Sequence, residues 1–382
     1  MASRQLTFRA ATLPFGLLIL FVGCGEDRGA LGLGLDAGNE STVTDAELSG
    51  VAPGSASIDG GVTPAQPTAT IIVLPDTQYY TYSADSGFYN SAPNSPPDHA
   101  GVFGEQTAWI LAQRQALNIN VVLHVGDVVD IPSDPGQWNI ASTAMHRFDG
   151  IIPYVIVPGN HDDDDKRQGL MDSYFGPATM PWITGTKIVG QMENNYALLD
   201  IGGRQWLVVA LEFSPTDASV EWADKVLKAF PDRPAILVTH GYLYSDGTRY
   251  NLAVAGSDKT QTTYQWWYPQ YYEFTPNAGM NDGEMLWQKL VLPNSNVRLV
   301  FCGHQTGPTG GAWLTSSRPD GTVVHQMLSD YQWIQGHNYG FGFLRIVQLD
   351  FAAKVIRVQT YSPDLDKYIT DDSNQFTLDL NL

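Results

Sequence analysis

The stretch NVVLHVGDVVD, residues 120–130, decides the class of the fold. Its apolar run, Val121 to Val125 with His124 inside it, is continuous rather than alternating, and it stops at Gly126-Asp127. Such a run suits a short strand buried on both faces, as in a largely parallel sheet covered by helices. The same grammar recurs in ATIIVLPDTQ (69–78), IPYVIVPGNHD (152–162), RQWLVVALEF (204–213), RPAILVTHG (233–241) and VRLVFCGHQ (297–305). Between some of these runs, EQTAWILAQRQAL (105–117) and VEWADKVLKAF (220–230) carry apolar residues at helical spacing. Strands alternating with helices place the chain in the α/β class. FGFLRIVQLDFAAKVIRVQTYSP (341–363) reads as two strands joined by a short turn.

Outward from these runs, the 382 residues divide into three parts. Residues 1–23 read as a signal peptide: Arg4 and Arg9 precede an apolar run, LPFGLLILFVG (13–23), too short to span a membrane. FVGC (21–24) resembles a bacterial lipobox with Phe21 in the usual leucine place, which would make Cys24 a lipidated first residue. The plainer alternative is an ordinary cleaved signal with an incidental cysteine. Residues 24–68 are rich in Gly, Ala, Ser, Thr, Asp and Pro and poor in large apolar side chains, the composition of a tether. Residues 69–382 form the folded domain. The expected location is therefore exported and membrane-anchored. With Cys24 lipidated, Cys302 has no disulfide partner.

Acidic residues outnumber basic ones by 40 to 21, so the basic footprint that a polyanion needs is missing and stable nucleic-acid binding is not expected.

Chemistry-bearing residues gather at the ends of the apolar runs: Asp76 and Gln78, Asp127 and Asp130, Asn160, His161 and Asp162, His240, and His304. Strand C-termini of an open α/β sheet converge on one crevice, so these scattered positions would meet in space. Carboxylates, an amide oxygen and imidazoles together suit a divalent first-row metal better than calcium.

In order, PDTQ (75–78), GDVVD (126–130), GNHD (159–162), VTHG (238–241) and CGHQ (302–305) resemble the five motifs of the calcineurin-like metallophosphoesterase family, over roughly residues 69–361. The resemblance implies a four-layer α/β-β/α sandwich of two mixed sheets and a two-metal site that activates a hydroxide for attack on a phosphomonoester or phosphodiester. It further implies that Asp127 bridges the two metals, that Asn160, His240 and His304 complete one of them, and that Asp76 serves the other. His161 would protonate the leaving oxygen, oriented by Asp130. The ions expected are Mn, Fe, Zn or Mg, one or two per chain.

Two departures fall on the same metal. Gln78 stands where the family has a histidine, and Thr306 replaces the second histidine of the last motif. Three accounts follow. The first metal is held more weakly, with Gln78 and water, and prefers a harder ion. Or His325 or His337 substitutes for the missing imidazoles. Or the protein works with one metal or none, as a non-catalytic, surface-binding lipoprotein on the same fold.

The remaining histidines and acids read more plainly. His124 reads as a core histidine, Asp163–Asp165 as a solvated acidic run, and Cys302 as an inert buried thiol. The long aromatic segment within 241–283, TTYQWWYPQYYEF (262–274), reads as a lid whose rings stack on a nucleobase or sugar.

Overall fold

The structure, a computed structural model, describes residues 67–82, 100–164, 166–251, 279–334 and 340–382. The signal peptide with Cys24, nearly all of the tether, His337, Asp165 and the aromatic stretch 262–274 lie outside the described residues. Among the described residues no helix is long and apolar enough to cross a membrane.

Two seven-stranded mixed sheets stack face to face. The first has the order β13-β12-β11-β1-β2-β3, with β14 also on β12. Its members are β1 (Thr68–Leu74), β2 (Ile119–His124), β3 (Tyr154–Ile156), β11 (Leu344–Asp350), β12 (Val355–Ser362), β13 (Lys367–Ile369) and β14 (Phe376–Asp379). The second runs β4-β5-β6-β7-β8-β10-β9. It contains β4 (Ile183–Thr186), β5 (Asn195–Ile201), β6 (Arg204–Leu211), β7 (Ala235–Thr239), β8 (Val297–Cys302), β9 (Gly311–Ser317) and β10 (Val323–Ser329).

The continuous apolar runs are central parallel strands: β1, β2 and β3 are parallel, and so are β6, β7 and β8, with β10 parallel to β8 beside them. The two late strands expected from residues 341–363 are β11 and β12, an antiparallel pair that closes onto β1.

Alternation along the strands builds the layers. Val208 and Ala210, Ile236 and Val238, and Leu299 and Phe301 turn into the core shared with β1 to β3. Their neighbours Leu207, Val209, Leu237 and Val300 turn the other way. That outer face is covered by α3 (Asp217–Ala229) through Val220, Ala223, Val226 and Leu227. On the outside of the first sheet, α1 (Ala100–Gln113) and α2 (Pro135–Met145) contribute Phe103, Ile110, Trp138 and Met145. Each apolar side chain fully buried this way contributes roughly 1.5–3 kcal/mol. The result is the expected four-layer α/β-β/α sandwich, with the C-terminal ends of the parallel strands of both sheets carrying the sequence motifs.

The helices begin where local chemistry starts them. Asp134 caps α2, its carboxylate accepting from the Gly136 N–H at 2.7 Å with Pro135 at the first helical position. Thr216 caps α3 through the Ser219 N–H.

Candidate metal centre

Loops at the strand ends bring Asp127, His240 and His304 together. One ligand atom from each lies within 4.8 Å of the others, and all three residues are buried. Two of the three sit in the left-handed backbone region, Asp127 at φ 50° and His304 at φ 74°. Non-glycine residues take that conformation at a cost, and held strain of this kind clusters at functional sites. The glycines beside them make room. Gly126 has φ 101°, and a Cβ there would lie 2.7 Å from His240 Nδ1. A Cβ on Gly303 would come within 2.1 Å of Asp76 Oδ1. Gly-Asp and Gly-His are thus pairs for a steric reason: the chain must pass against the neighbouring ligand.

His240 Nδ1 donates to the Val125 carbonyl at 2.8 Å. Its Nε2 then faces Asp127 Oδ2 at 3.3 Å and Asn160 Oδ1 at 3.2 Å. With the ring proton committed to a carbonyl, an Nε2 lone pair directed at two acceptor oxygens is unfavourable unless a cation or a second proton lies among them. The donor set, imidazole nitrogen with carboxylate and amide oxygen, fits a divalent first-row metal. Burial works against ionisation of Asp127, yet the neighbouring His240 and His161 outweigh it and hold this carboxyl below its ordinary range.

Beside this cluster, Asp127 Oδ1 accepts from the His161 N–H at 2.9 Å. The half-buried His161 imidazole meets Asp130: Nδ1 lies 3.0 Å from Oδ1 and 3.1 Å from the Asp130 carbonyl. Burial alone would lower the proton affinity of His161, but Asp127 and Asp130 reverse that and raise it to about 10. Asp130 is itself held. Tyr82 donates its hydroxyl to Oδ2, and Gln137 Oε1 accepts the Asp130 and Ile131 N–H groups, each at 2.9 Å. Asp162, fully buried, ties the Gly-Asp and Gly-Asn loops together. It takes the Val128, Val129 and Gly159 N–H groups at 3.0, 2.9 and 2.7 Å. Burial and Asp127 raise its carboxyl to about 6 against those three donors.

On the other side, Asp76 is buried and accepts the His304 N–H at 3.0 Å. Burial first, then the charges of Asp330 and Asp127, push its carboxyl well above the ordinary range. Gln78 is buried in a short 3-10 turn, its Oε1 accepting from Gln332 Nε2 at 2.6 Å. The same Nε2 lies 3.3 Å from Asp76 Oδ2. Thr306 Oγ1 is buried and unpaired among the described residues.

His325, one of the two histidines considered as substitutes, is elsewhere. It lies within β10, its Nδ1 at 2.7 Å from Thr315 Oγ1 and its Nε2 at 2.8 Å from the Asp379 carbonyl. The strand VVHQMLS runs on past it, so what arrives at the crevice is Ser329-Asp330 and Gln332. Asp330, Gln332 and Gln137 were missed from sequence. The strand-end rule that finds Asp127 and His240 also finds Asp330, once the end of β10 is set at Ser329.

Three other readings meet the structure. His124 is a core histidine, Nε2 at 2.9 Å from Thr77 Oγ1, with burial lowering it to about 3. Cys302 is a free buried thiol pushed up to about 12 by burial. Asp163 departs from the expected solvated run. It is half-buried, and burial and the Glu193 charge raise its carboxyl well above the ordinary range.

Comparison with known proteins places these residues in a family. The family model for calcineurin-like phosphoesterases matches residues 69–308. The uncharacterized protein YvnB of Bacillus subtilis (strain 168) is 31% identical over 336 residues. That match takes in 84% of the chain but only 22% of the relative, so the chain spans about a fifth of that protein's length. Among solved structures, purple acid phosphatase PPD1 from yellow lupin (Lupinus luteus) seeds is similar, with TM-score 0.47 and 14% identity. The match covers 83% of this chain and 55% of that one. GAP50 of the Plasmodium inner membrane complex is also similar, with TM-score 0.42 and 11% identity, over 82% of this chain and 89% of that one.

Proposed function

The chain belongs to the calcineurin-like phosphoesterase family, and from that premise we propose that it is an exported, membrane-tethered phosphoesterase that hydrolyses a phosphomonoester or phosphodiester of a small molecule. Divalent metal binding and phosphoester hydrolysis in general come with the family. The observation that carries the reading is the convergence of Asp127, His240 and His304 with the His161–Asp130 pair alongside.

When bound, divalent ions supply Lewis acidity toward the phosphoryl oxygens and a water acidic enough to attack near neutral pH. The rest falls to the side chains. Asp127, Asn160, His240 and His304 would hold one ion, and Asp76 together with Asp127 would serve a second. Asn160 adds an oxygen without adding charge. His161 carries a proton on an imidazole that Asp130 and Asp127 keep basic, and delivers it to the leaving oxygen. Asp130, fixed by Tyr82 and Gln137, sets the ring's direction. Tethering is the reading of Cys24 and the apolar run before it.

The test is the full chain loaded with Mn, Fe, Zn or Mg and assayed on monoester and diester reporters. Asp127→Asn is expected to lose hydrolysis and bound metal together. Undiminished hydrolysis in that variant defeats the proposal. Full metal occupancy without turnover in the unaltered chain would favour a binding protein on the same fold.

A further inference from the structure

His304 stands on a tight three-residue turn. The Gln305 N–H donates to the Gly303 carbonyl at 2.9 Å and closes the backbone around His304, whose φ is 74°. This is the rarer, strained sense of the γ-turn, and a residue other than glycine takes it at a cost. Such a conformation persists only where its surroundings over-determine it. Gln305 supplies part of that hold. It is 1% exposed, its Nε2 donates to the Thr306 carbonyl at 3.1 Å, and its Oε1 accepts the Tyr250 hydroxyl at 2.8 Å. Both polar ends of a buried amide are engaged.

Tyr250 is itself fully buried and built into the chain that follows His240. Its N–H donates to the carbonyl of Tyr242, two residues past His240, at 3.0 Å, and its own carbonyl accepts the Glu284 N–H at 2.7 Å. Its ring lies against Tyr244, with centroids 4.0 Å apart, and 6.0 Å from the His304 ring. The Tyr250–Gln305 bond therefore ties the loop after β7, which carries His240, to the loop after β8, which carries His304. The two imidazoles it relates have centroids 4.9 Å apart.

We propose that Tyr250 and Gln305 are positioning residues for the metal centre: their hydrogen bond holds His304 in its strained turn and sets its place relative to His240. The inference rests on the reading of the strand ends as a metal centre. Both residues act through His304. A ligand held in place before the ion arrives has less freedom to lose on binding, so the bond raises affinity for the ion.

The experiment is calorimetric titration of Zn into the metal-free full chain, beside denaturant unfolding of the same samples. The unaltered chain is expected to bind Zn. Tyr250→Phe removes one hydroxyl, and Zn affinity is expected to fall by about 10–100-fold. Gln305→Met keeps the length of the side chain without the amide, and the same loss is expected. The double variant is expected to lose no more than either single one, because the two residues act through one bond. Stability alone does not decide, since each single variant leaves a buried group unpaired whatever the pair does. Zn affinity unchanged in a less stable Tyr250→Phe would make the pair merely structural and overturn the proposal. Losses that multiply in the double variant overturn the shared bond. Cobalt bound in place of zinc gives a second reading: its visible absorption is expected to shift in Tyr250→Phe, and an identical spectrum counts against any change at His304. An unaltered chain that binds no Zn overturns the metal centre itself.

Discussion

At the residue scale, the site separates groups that would hold a metal from groups that would move a proton. His161→Ala should lower kcat by roughly 10²–10⁴-fold while leaving metal content unchanged, because only its backbone N–H touches Asp127. Elemental analysis beside the rate measurement checks both halves. Asp130→Asn acts through the ring it orients. Removing that charge lowers the proton affinity of His161, so the alkaline limb of the kcat profile should move to lower pH. An unmoved limb with only reduced stability would make Asp130 merely structural. Gly303→Ala is a steric test. A Cβ within 2.1 Å of Asp76 Oδ1 must displace that carboxylate, and on the proposed reading the affinity for divalent metal should weaken by roughly tenfold or more. Retained affinity would mean that the loop yields at no cost to the site.

At the element scale, what was legible followed from periodicity. Six apolar runs were read as strands from their unbroken hydrophobicity, and β1, β2, β3, β6, β7 and β8 are those strands. Their polar ends marked the crevice because the chain can expose ligands there without disturbing the core. The segment around His325 reads as an apolar strand too, but β10 stands outside the six continuous runs and its polar end goes unmarked, for a physical reason. His325, Gln326 and Ser329 interrupt its apolar pattern, and hydrogen bonds made across the fold satisfy the first two: His325 to Thr315 and the Asp379 carbonyl, Gln326 to Arg249 and Ser316. Such long-range satisfaction leaves no local mark, so the histidine drew notice and the strand-end aspartate did not. His325 thereby links β10 of one sheet to β14 of the other. His325→Ala should cost about 1–3 kcal/mol of stability through the unpaired groups it leaves, with metal content unchanged. Lost metal in a folded His325→Ala protein would return that histidine to the site.

At the scale of the whole molecule, the acidic excess is partly buried, and this sets a pH dependence that bound metal should oppose. Away from the strand ends, burial and then the Asp172 charge raise Glu193 from its ordinary 4.5 to about 7. Burial raises Asp172 as well, and Asp163 is raised by burial and by Glu193. Each of these carboxyls holds its proton more tightly in the folded chain than in the unfolded one. The stability they contribute is therefore complete below the unfolded carboxyl range and is lost as pH rises through about 7. Asp127, whose carboxyl is lowered, gains its stability below this window, whereas His124 and His325, both lowered by burial, oppose the loss within it. Metal-free protein should accordingly lose stability to denaturant between about pH 4.5 and about pH 7, and Glu193→Gln should flatten that slope without altering metal content. Saturating metal should raise stability most at the upper end of the window, where the strand-end carboxyls are ionised and free to bind. A metal-free stability that rises across the same window would show that these acids are paired or solvated in solution, and the buried acidic group around Asp163 and Glu193 would have to be abandoned.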